Sequence, residues 1–139
     1  MKKITVETQI NADIDKVWTA WTNAEHVVHW NFASDDWHCP YAENDLKTGG
    51  TFKYTMAAKE GSDCFDFEGR YTMLIDRKHI AILLGDDRKV ELDFKALSDQ
   101  TTHLIEIFET ESENSEEMQR QGWQAILNNF KKYVEQNMK

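Results

Sequence analysis

The feature that most restricts the fold is the C-terminal stretch "SENSEEMQRQGWQAILNNFKKYVEQNMK". Its large apolar residues recur at intervals of three and four, which gives a helix one apolar stripe. Those residues are Trp123, Ile126, Leu127, Phe130 and Val134. Ser115 is a typical N-cap residue, and the single Gly122 costs only about 1 kcal/mol in a helix, so we expect an unbroken helix. From 116 to 136 it is about 30 Å long and requires a matching apolar surface.

Alternating segments elsewhere in the chain supply that surface. In "KKITVETQI" the residues Ile4, Val6, Thr8 and Ile10 fall on one face, which is typical of a half-buried strand. The middle of the chain continues with "TFKYTMA", "CFDFEGRYTMLI", "HIAILL", "RKVELDFKAL" and "THLIEIFET". Turn-forming sequences such as "TGG", "EGSD" and "GDD" separate these segments. Short connections between consecutive strands predict an antiparallel meander.

The segment "CFDFEGRYTMLI" contains two further signals. Strict alternation places Phe65, Phe67, Tyr71 and Met73 on one face of the predicted strand. Gly69 interrupts the pattern and indicates a bulge or a tight bend.

Two short helices are predicted between the first strand and the meander. Asp13 is a suitable N-cap for the first, and Ile14, Val17, Trp18 and Trp21 share one stripe, so we interpret both tryptophans mainly as core. Asn23 is a suitable N-cap for the second helix. Its buried side is expected to carry Val27, Val28 and Trp30.

Composition excludes several classes of partner. The 139 residues fit one domain, 1–139, and the formal net charge of −9 disfavours binding to nucleic acid and to anionic membranes. No window approaches the roughly 20 apolar residues of a membrane span, and the N-terminus lacks the apolar run of a signal peptide. The two cysteines, Cys39 and Cys64, form no CxxC motif; we interpret them as free buried thiols, with a disulfide between them as the alternative. We therefore expect a cytoplasmic protein, with monomer and homodimer both left open.

Four stretches in this order resemble a known family. They are "INADIDKVWTAWTNAEHVVHW", "TGGTFKYTM", "FEGRYTMLIDRKHIAI" and "GWQAILNNFKKYVE". The chain resembles the heat-shock protein 90 ATPase activator homologue-like family of the START-like, or SRPBCC, helix-grip superfamily. The resemblance implies an α+β fold in which a curved antiparallel sheet wraps around the long C-terminal helix. It also implies an elongated, largely apolar cavity between the sheet and the helix.

Ten residues are candidates to line that cavity and bind a ligand. They are Trp30, Phe32, Trp37, Phe52, Tyr54, Phe67, Tyr71, Trp123, Leu127 and Phe130. For Trp30, Phe32 and Trp37 the alternative is that they only seal the core. The inward-pointing hydroxyls of Tyr54 and Tyr71 need hydrogen-bond partners, and the candidates are a ligand, water or backbone. These hydroxyls are the best candidates to orient a ligand.

Catalytic and metal-binding signals are weak. His26 and His29 lie three apart on a helix, but a structural zinc site needs four clustered ligands, so we expect no metal. The paired carboxylates of strands, such as Asp66 with Glu68 and Glu91 with Asp93, alternate with apolar residues and are expected to face solvent. No serine elbow, phosphate-binding glycine loop or catalytic pairing of Cys with His is legible in the sequence, so no catalytic residue and no cofactor is assigned.

The preferred function is a binding module for a small apolar or amphipathic molecule. A polyketide cyclase or hydrolase using the same cavity is an alternative, and it requires a titratable residue inside the cavity. Alternation places none there. A regulator of a heat-shock protein ATPase ranks last, because such regulators usually carry a companion domain.

Overall fold

Alternating apolar residues build one antiparallel sheet of seven strands in the computed structural model, which describes residues 2–138. The strands follow the order β1-β7-β6-β5-β4-β3-β2 across the sheet. Their bounds are β1 Lys3–Ile10, β2 Trp37–Asn44, β3 Thr51–Ala58, β4 Cys64–Ile75, β5 His79–Leu84, β6 Lys89–Ser98 and β7 Thr101–Glu109. The helices are α1 Ile14–Thr22, α2 Ala24–Val27 and α3 Glu116–Asn137. The predicted α+β arrangement, a curved antiparallel sheet with two short helices and one long C-terminal helix, is confirmed.

The helices begin at the residues that the sequence indicates. Asp13, Asn23 and Ser115 each accept a backbone N–H with the side chain, at 2.8, 2.9 and 3.1 Å. Each bond satisfies an amide that would otherwise lack a partner in the first turn. Helix α3 continues through Gly122 without a break.

β1 and β2 lie at opposite edges of the sheet, so the chain between them must cross the concave side. Helix α1 packs against β6 and β7, and α2 packs against β2. Helix α3 approaches β1 more closely than the other strands. The core between these layers includes fully buried Leu104, Phe108, Leu127, Phe130 and Val134.

Strand β2 was not among the predicted strands. It contains Pro40, and its register shifts between His38 and Tyr41. A proline is tolerated there because β2 is an edge strand, where one side of the backbone needs no partner.

The faces of β4 differ in part from the prediction. The bulge lies between Tyr71 and Met73, and it turns Met73 outward to 48% exposure. The pairing at Gly69 itself is continuous. A Cβ at Gly69 would lie 2.3 Å from the carbonyl oxygen of Leu83, so this glycine permits a close approach of two backbones.

Candidate functional site

A cavity of about 390 Å³ lies between the sheet and helix α3. Strands β3 to β7 form its floor, and α3 covers it. Trp21 of α1 and the segment around Trp30 and Asn31 close one end. Because α3 lies closest to the β1 edge, the middle strands face space that the helix does not fill.

Six of the ten predicted site residues lie in the cavity wall. They are Trp30, Phe52, Tyr54, Phe67, Tyr71 and Trp123. Alternation along β3 and β4 explains the four sheet residues, because side chains two apart project to the same face. The stripe of α3 explains Trp123.

The other four predicted residues lie outside the wall, for different reasons. Leu127 and Phe130 have no exposed surface, because they fill the core where α3 meets the sheet and α1. Phe32 lines a shallow surface groove with Ala33 and Asn129. Trp37 packs against Phe65, with ring centroids 5.8 Å apart, at the edge of the sheet.

The aromatic rings of the wall contact one another. The ring centroid of Phe52 lies 5.2 Å from that of Tyr54, 5.7 Å from that of Phe67 and 5.5 Å from that of Tyr71. Such tilted arrangements stabilise aromatic clusters beyond the area they bury. The wall is therefore a connected aromatic surface held in place by its own contacts.

Two tryptophans bound the cavity in different ways. Trp123 stacks on Phe108, with ring centroids 4.1 Å and planes 8° apart, and lies edge-on to Phe67. Trp21 stacks on Trp30 at 4.7 Å and also lines the cavity, whereas the sequence indicated mainly a core role. Trp18, by contrast, is buried against Phe94, as predicted.

The tyrosine hydroxyls have protein partners. The side-chain amide of Asn44 donates to the Tyr71 hydroxyl at 3.1 Å and to the carbonyl oxygen of Thr22 at 2.7 Å. Burial, followed by the nearby Tyr71 hydroxyl, raises the pKa of Tyr54. The partner of Tyr71 is thus a side chain, which was not among the predicted partners, and these hydroxyls are engaged within the protein.

Glu106 of β7 is the site residue that the sequence reasoning missed. It lies in the cavity wall and is only 6% exposed. Burial raises the pKa of its carboxyl from 4.5 to about 8, because removal from water disfavours the charged form. The signal was present in the sequence: Glu106 lies two residues from both Leu104 and Phe108, and residues two apart in a strand project to the same face, which here is buried.

Other polar groups at the rim are engaged. Arg88 donates to Asp86 at 2.7 Å, and Glu111 accepts from the backbone and side chain of Asn114 at 2.8 and 3.2 Å. Gln119 accepts from the backbone N–H of Glu111 at 3.0 Å and donates to its carbonyl oxygen at 3.1 Å. These bonds hold the loop between β7 and α3.

The histidine and cysteine side chains are spread over the molecule. His26 and His29 flank Tyr133, with His26 Nδ1 2.7 Å from the hydroxyl and His29 stacked on the ring. Cys39 is buried, as predicted, whereas Cys64 is exposed because it begins the outer end of β4. Within residues 2–138 no three His, Cys, Asp or Glu side chains are grouped to hold a metal ion.

The carboxylates of the outer face occupy the positions that alternation indicates. Asp66, Glu68 and Glu91 are exposed. Asp93 is half-buried and lies 2.8 Å from Nδ1 of His79. None of these four lines the cavity, so they are separate from Glu106.

Comparison with known proteins identifies one family. A family model described as Activator of Hsp90 ATPase homolog 1-like protein matches residues 11–135. None of the curated proteins is similar enough in sequence to count as a match.

Among residues 2–138, no helix has the length and apolar character needed to cross a membrane.

Solved structures share the fold over nearly the whole chain. An AHSA1-like protein from Aeromonas hydrophila is 38% identical with a TM-score of 0.90, covering 97% of this chain and 93% of that one. Protein Chr148 from Cytophaga hutchinsonii is 49% identical with a TM-score of 0.82, covering 98% and 94%. Protein CV1439 from Chromobacterium violaceum, at 22% identity and a TM-score of 0.85, covers 97% and 99% and is similar in fold alone.

Proposed function

The chain belongs to the Activator of Hsp90 ATPase homolog 1-like family, and on that premise we propose that it binds a small, largely apolar molecule in the cavity beneath α3. Family and fold support a role in binding a ligand or in regulating another protein. The ligand-binding role is the one that the geometry favours.

The observation that carries the proposal is the cavity itself. Its volume of about 390 Å³ lies in the range of about 300–1,000 Å³ that is typical of small-molecule sites. Its wall is mainly aromatic and aliphatic, with few polar groups, which is the usual composition of such sites. Dense packing is the rule in protein interiors, so an apolar space of this size beneath a helix is a candidate binding site.

We assign ligand contact to the aromatic side chains of the wall. Trp21 and Trp123 would enclose the ligand from the helices, Trp30 from the turn after α2, and Phe52 and Phe67 from the sheet. The rings of Tyr54 and Tyr71 would contribute apolar surface, since their hydroxyls are engaged elsewhere.

Two thiols without a disulfide agree with a reducing compartment, and we propose the cytoplasm as the location of the protein.

A filled cavity tests this function. A Cβ placed on Gly122 meets no atom within 4 Å, and Gly122 lies in the wall, so a Gly122→Leu side chain has room to occupy the cavity. We expect wild type to bind the uncharged fluorescent probe N-phenyl-1-naphthylamine saturably, and Gly122→Leu to weaken that binding at least about tenfold. Gln121→Leu, an exposed neighbour on the same helix, is the matched control and should bind as wild type does.

Two results would contradict the proposal. One is the absence of saturable binding across a panel of uncharged apolar probes. The other is equal binding by wild type and a folded Gly122→Leu variant. Native mass spectrometry of freshly purified protein would then identify any co-purified molecule.

A cyclase- or hydrolase-like enzyme is the second candidate, because one observation favours it. That function requires a titratable residue inside the cavity, and Glu106 lies there with its pKa raised to about 8. A general acid or base works best when its pKa is near the working pH. Turnover of a polyketide-like substrate that is abolished in Glu106→Gln would support the enzyme over the simple binding protein.

A further inference from the structure

Glu106 is a buried carboxyl without a partner on either side in the sheet. In the pairing of β7 with its neighbours, it lies opposite Val6 of β1 and Leu92 of β6, and both are only 2% exposed. Directly paired residues project to the same face, so the carboxyl is flanked by apolar side chains. Its remaining open side is the cavity.

The charged and titratable groups that share the cavity do not pair with this carboxyl. Arg88, in the turn before β6, is held by Asp86 and by the carbonyl oxygen of Glu109. Glu111, in the loop before α3, accepts from Asn114. Tyr71 of β4 accepts from Asn44, and Tyr54 of β3 lies beside Tyr71. The cavity-facing residues of α3 are Met118, Gln119, Gly122, Trp123 and Ile126, none of which is titratable.

An apolar site of this kind favours the uncharged form of a carboxyl. Burying an unpaired carboxylate costs far more than burying a neutral acid. In agreement, the pKa of Glu106 is raised to about 8, so that the group keeps its proton at neutral pH. A neutral carboxylic acid offers one O–H donor, and that donor faces the cavity.

We propose that Glu106, as a neutral acid, donates a hydrogen bond to the carbonyl oxygen of an uncharged ligand whose apolar body lies among the aromatic side chains. This inference rests on the proposed binding function and adds a ligand class to it: uncharged apolar carbonyl compounds. A carbonyl oxygen suits the site because it accepts a hydrogen bond and carries no donor that needs a second partner. Anionic ligands are disfavoured above about pH 8, where Glu106 ionises and gains a negative charge.

Three naphthalenes of similar size provide the probes. They are 2-acetylnaphthalene, a ketone; 2-ethylnaphthalene, a hydrocarbon; and 1-(2-naphthyl)ethylamine, an ammonium ion at neutral pH. Affinities are measured by calorimetry at about pH 6 and about pH 9, where the Glu106 carboxyl is mostly neutral and mostly ionised, respectively. At the lower pH we expect wild type to prefer the ketone over the hydrocarbon about tenfold, the size of one buried hydrogen bond. At the higher pH the preference should disappear.

Variants at the same position separate the hydrogen bond from packing. Glu106→Gln keeps an N–H donor that does not ionise, so its ketone preference should persist at both pH values. Glu106→Leu has no donor and should bind the ketone and the hydrocarbon equally. Glu68→Gln, which removes an exposed carboxylate of the outer face, is the control and should behave as wild type. Circular dichroism establishes that each variant is folded.

The failures are distinguishable. Equal affinity of wild type for ketone and hydrocarbon at the lower pH would overturn the assignment of Glu106 and leave the binding function standing, because both ligands still bind. A preference for the amine that grows with pH would also overturn it, because the carboxylate would then be the partner of a cation. Failure of all three compounds and of N-phenyl-1-naphthylamine to bind would overturn the binding function as well.

Discussion

At the scale of single residues, Glu106 links the folding of the chain to pH. Its carboxyl is uncharged while the protein is folded at neutral pH and charged once the chain unfolds into water. Stability must therefore depend on pH through this one group, independently of any ligand.

The direction of that dependence follows from the two pKa values of Glu106. Between its ordinary pKa of 4.5 and its raised pKa of about 8, the folded chain keeps a proton that the unfolded chain has released. The free energy of unfolding therefore falls as the pH rises through this window, and the loss is complete above about pH 8. We expect Glu106→Gln to remove this loss, so that its stability relative to wild type rises by roughly 3–5 kcal/mol from pH 4.5 to pH 8.

Urea unfolding of both proteins at a series of pH values measures that difference. Other titrating groups are common to the two chains and cancel. Glu68→Gln serves as the control, and its curve should run parallel to that of wild type. A difference between Glu106→Gln and wild type that stays constant with pH would show that Glu106 titrates normally.

Trp123 provides a second residue-scale prediction. One face of its ring stacks on Phe108 and another side borders the cavity, so part of its environment is already open. We expect Trp123→Ala to cost less than the roughly 3–5 kcal/mol of a large side chain in a filled core. Phe130→Ala, at a position with no exposed surface, should cost that full amount. Equal losses in chemical unfolding would mean that Trp123 fills the interior and borders no open space.

The sequence contained most of the residue-scale information, with identifiable gaps. Parity along β3 and β4 was sufficient to place Phe52, Tyr54 and Phe67 on the cavity side. Alternation was equally sufficient to place Glu106 on that side, but a charged residue in an apolar strand was expected to face solvent. Helical spacing was not sufficient to place Leu127 and Phe130, because the distance between α3 and the sheet decides which residues of the apolar stripe pack into the core and which border open space.

At the scale of elements, local signals fixed the helices and long-range pairing fixed the strand irregularities. The caps at Asp13, Asn23 and Ser115 are contacts within one turn, and the sequence predicts them directly. The bulge after Tyr71 depends on the pairing of β4 with β5, which no local pattern contains. The edge strand β2 depends in the same way on pairing with β3.

The glycines of α3 and β4 give an element-scale prediction. Gly122 lies in a helix where a Cβ meets nothing within 4 Å, so Gly122→Ala should stabilise the protein by about 0.5–1 kcal/mol. Gly69 faces the Leu83 carbonyl at a distance that excludes a Cβ, so Gly69→Ala should destabilise it by about 1–3 kcal/mol. Thermal or urea unfolding checks both. Destabilisation by Gly122→Ala would show that the wall beside it is closed.

At the scale of the whole molecule, the cavity results from how three layers meet. The edge strands β1 and β2 are far apart, α1 and α2 bridge them, and α3 lies nearest to β1. Side chains from two directions then border the space above the middle of the sheet but do not fill it. Resemblance to a family predicted such a space, but its volume and the burial of the Glu106 carboxyl beside it depend on the relative position of these layers.

The most direct measurement is an isotope-filtered nuclear Overhauser experiment on the labelled protein with unlabelled 2-ethylnaphthalene. Cross-peaks report protons a few ångströms apart, so they locate the bound molecule rather than merely detect it. We predict cross-peaks from the naphthalene to the indole protons of Trp30 and Trp123 and to the methyl groups of Ile82, which lie on different sides of the cavity. Cross-peaks confined to exposed side chains such as Met73, Ile75 or Leu97, with none to the wall, would contradict the assignment of this cavity as a binding site.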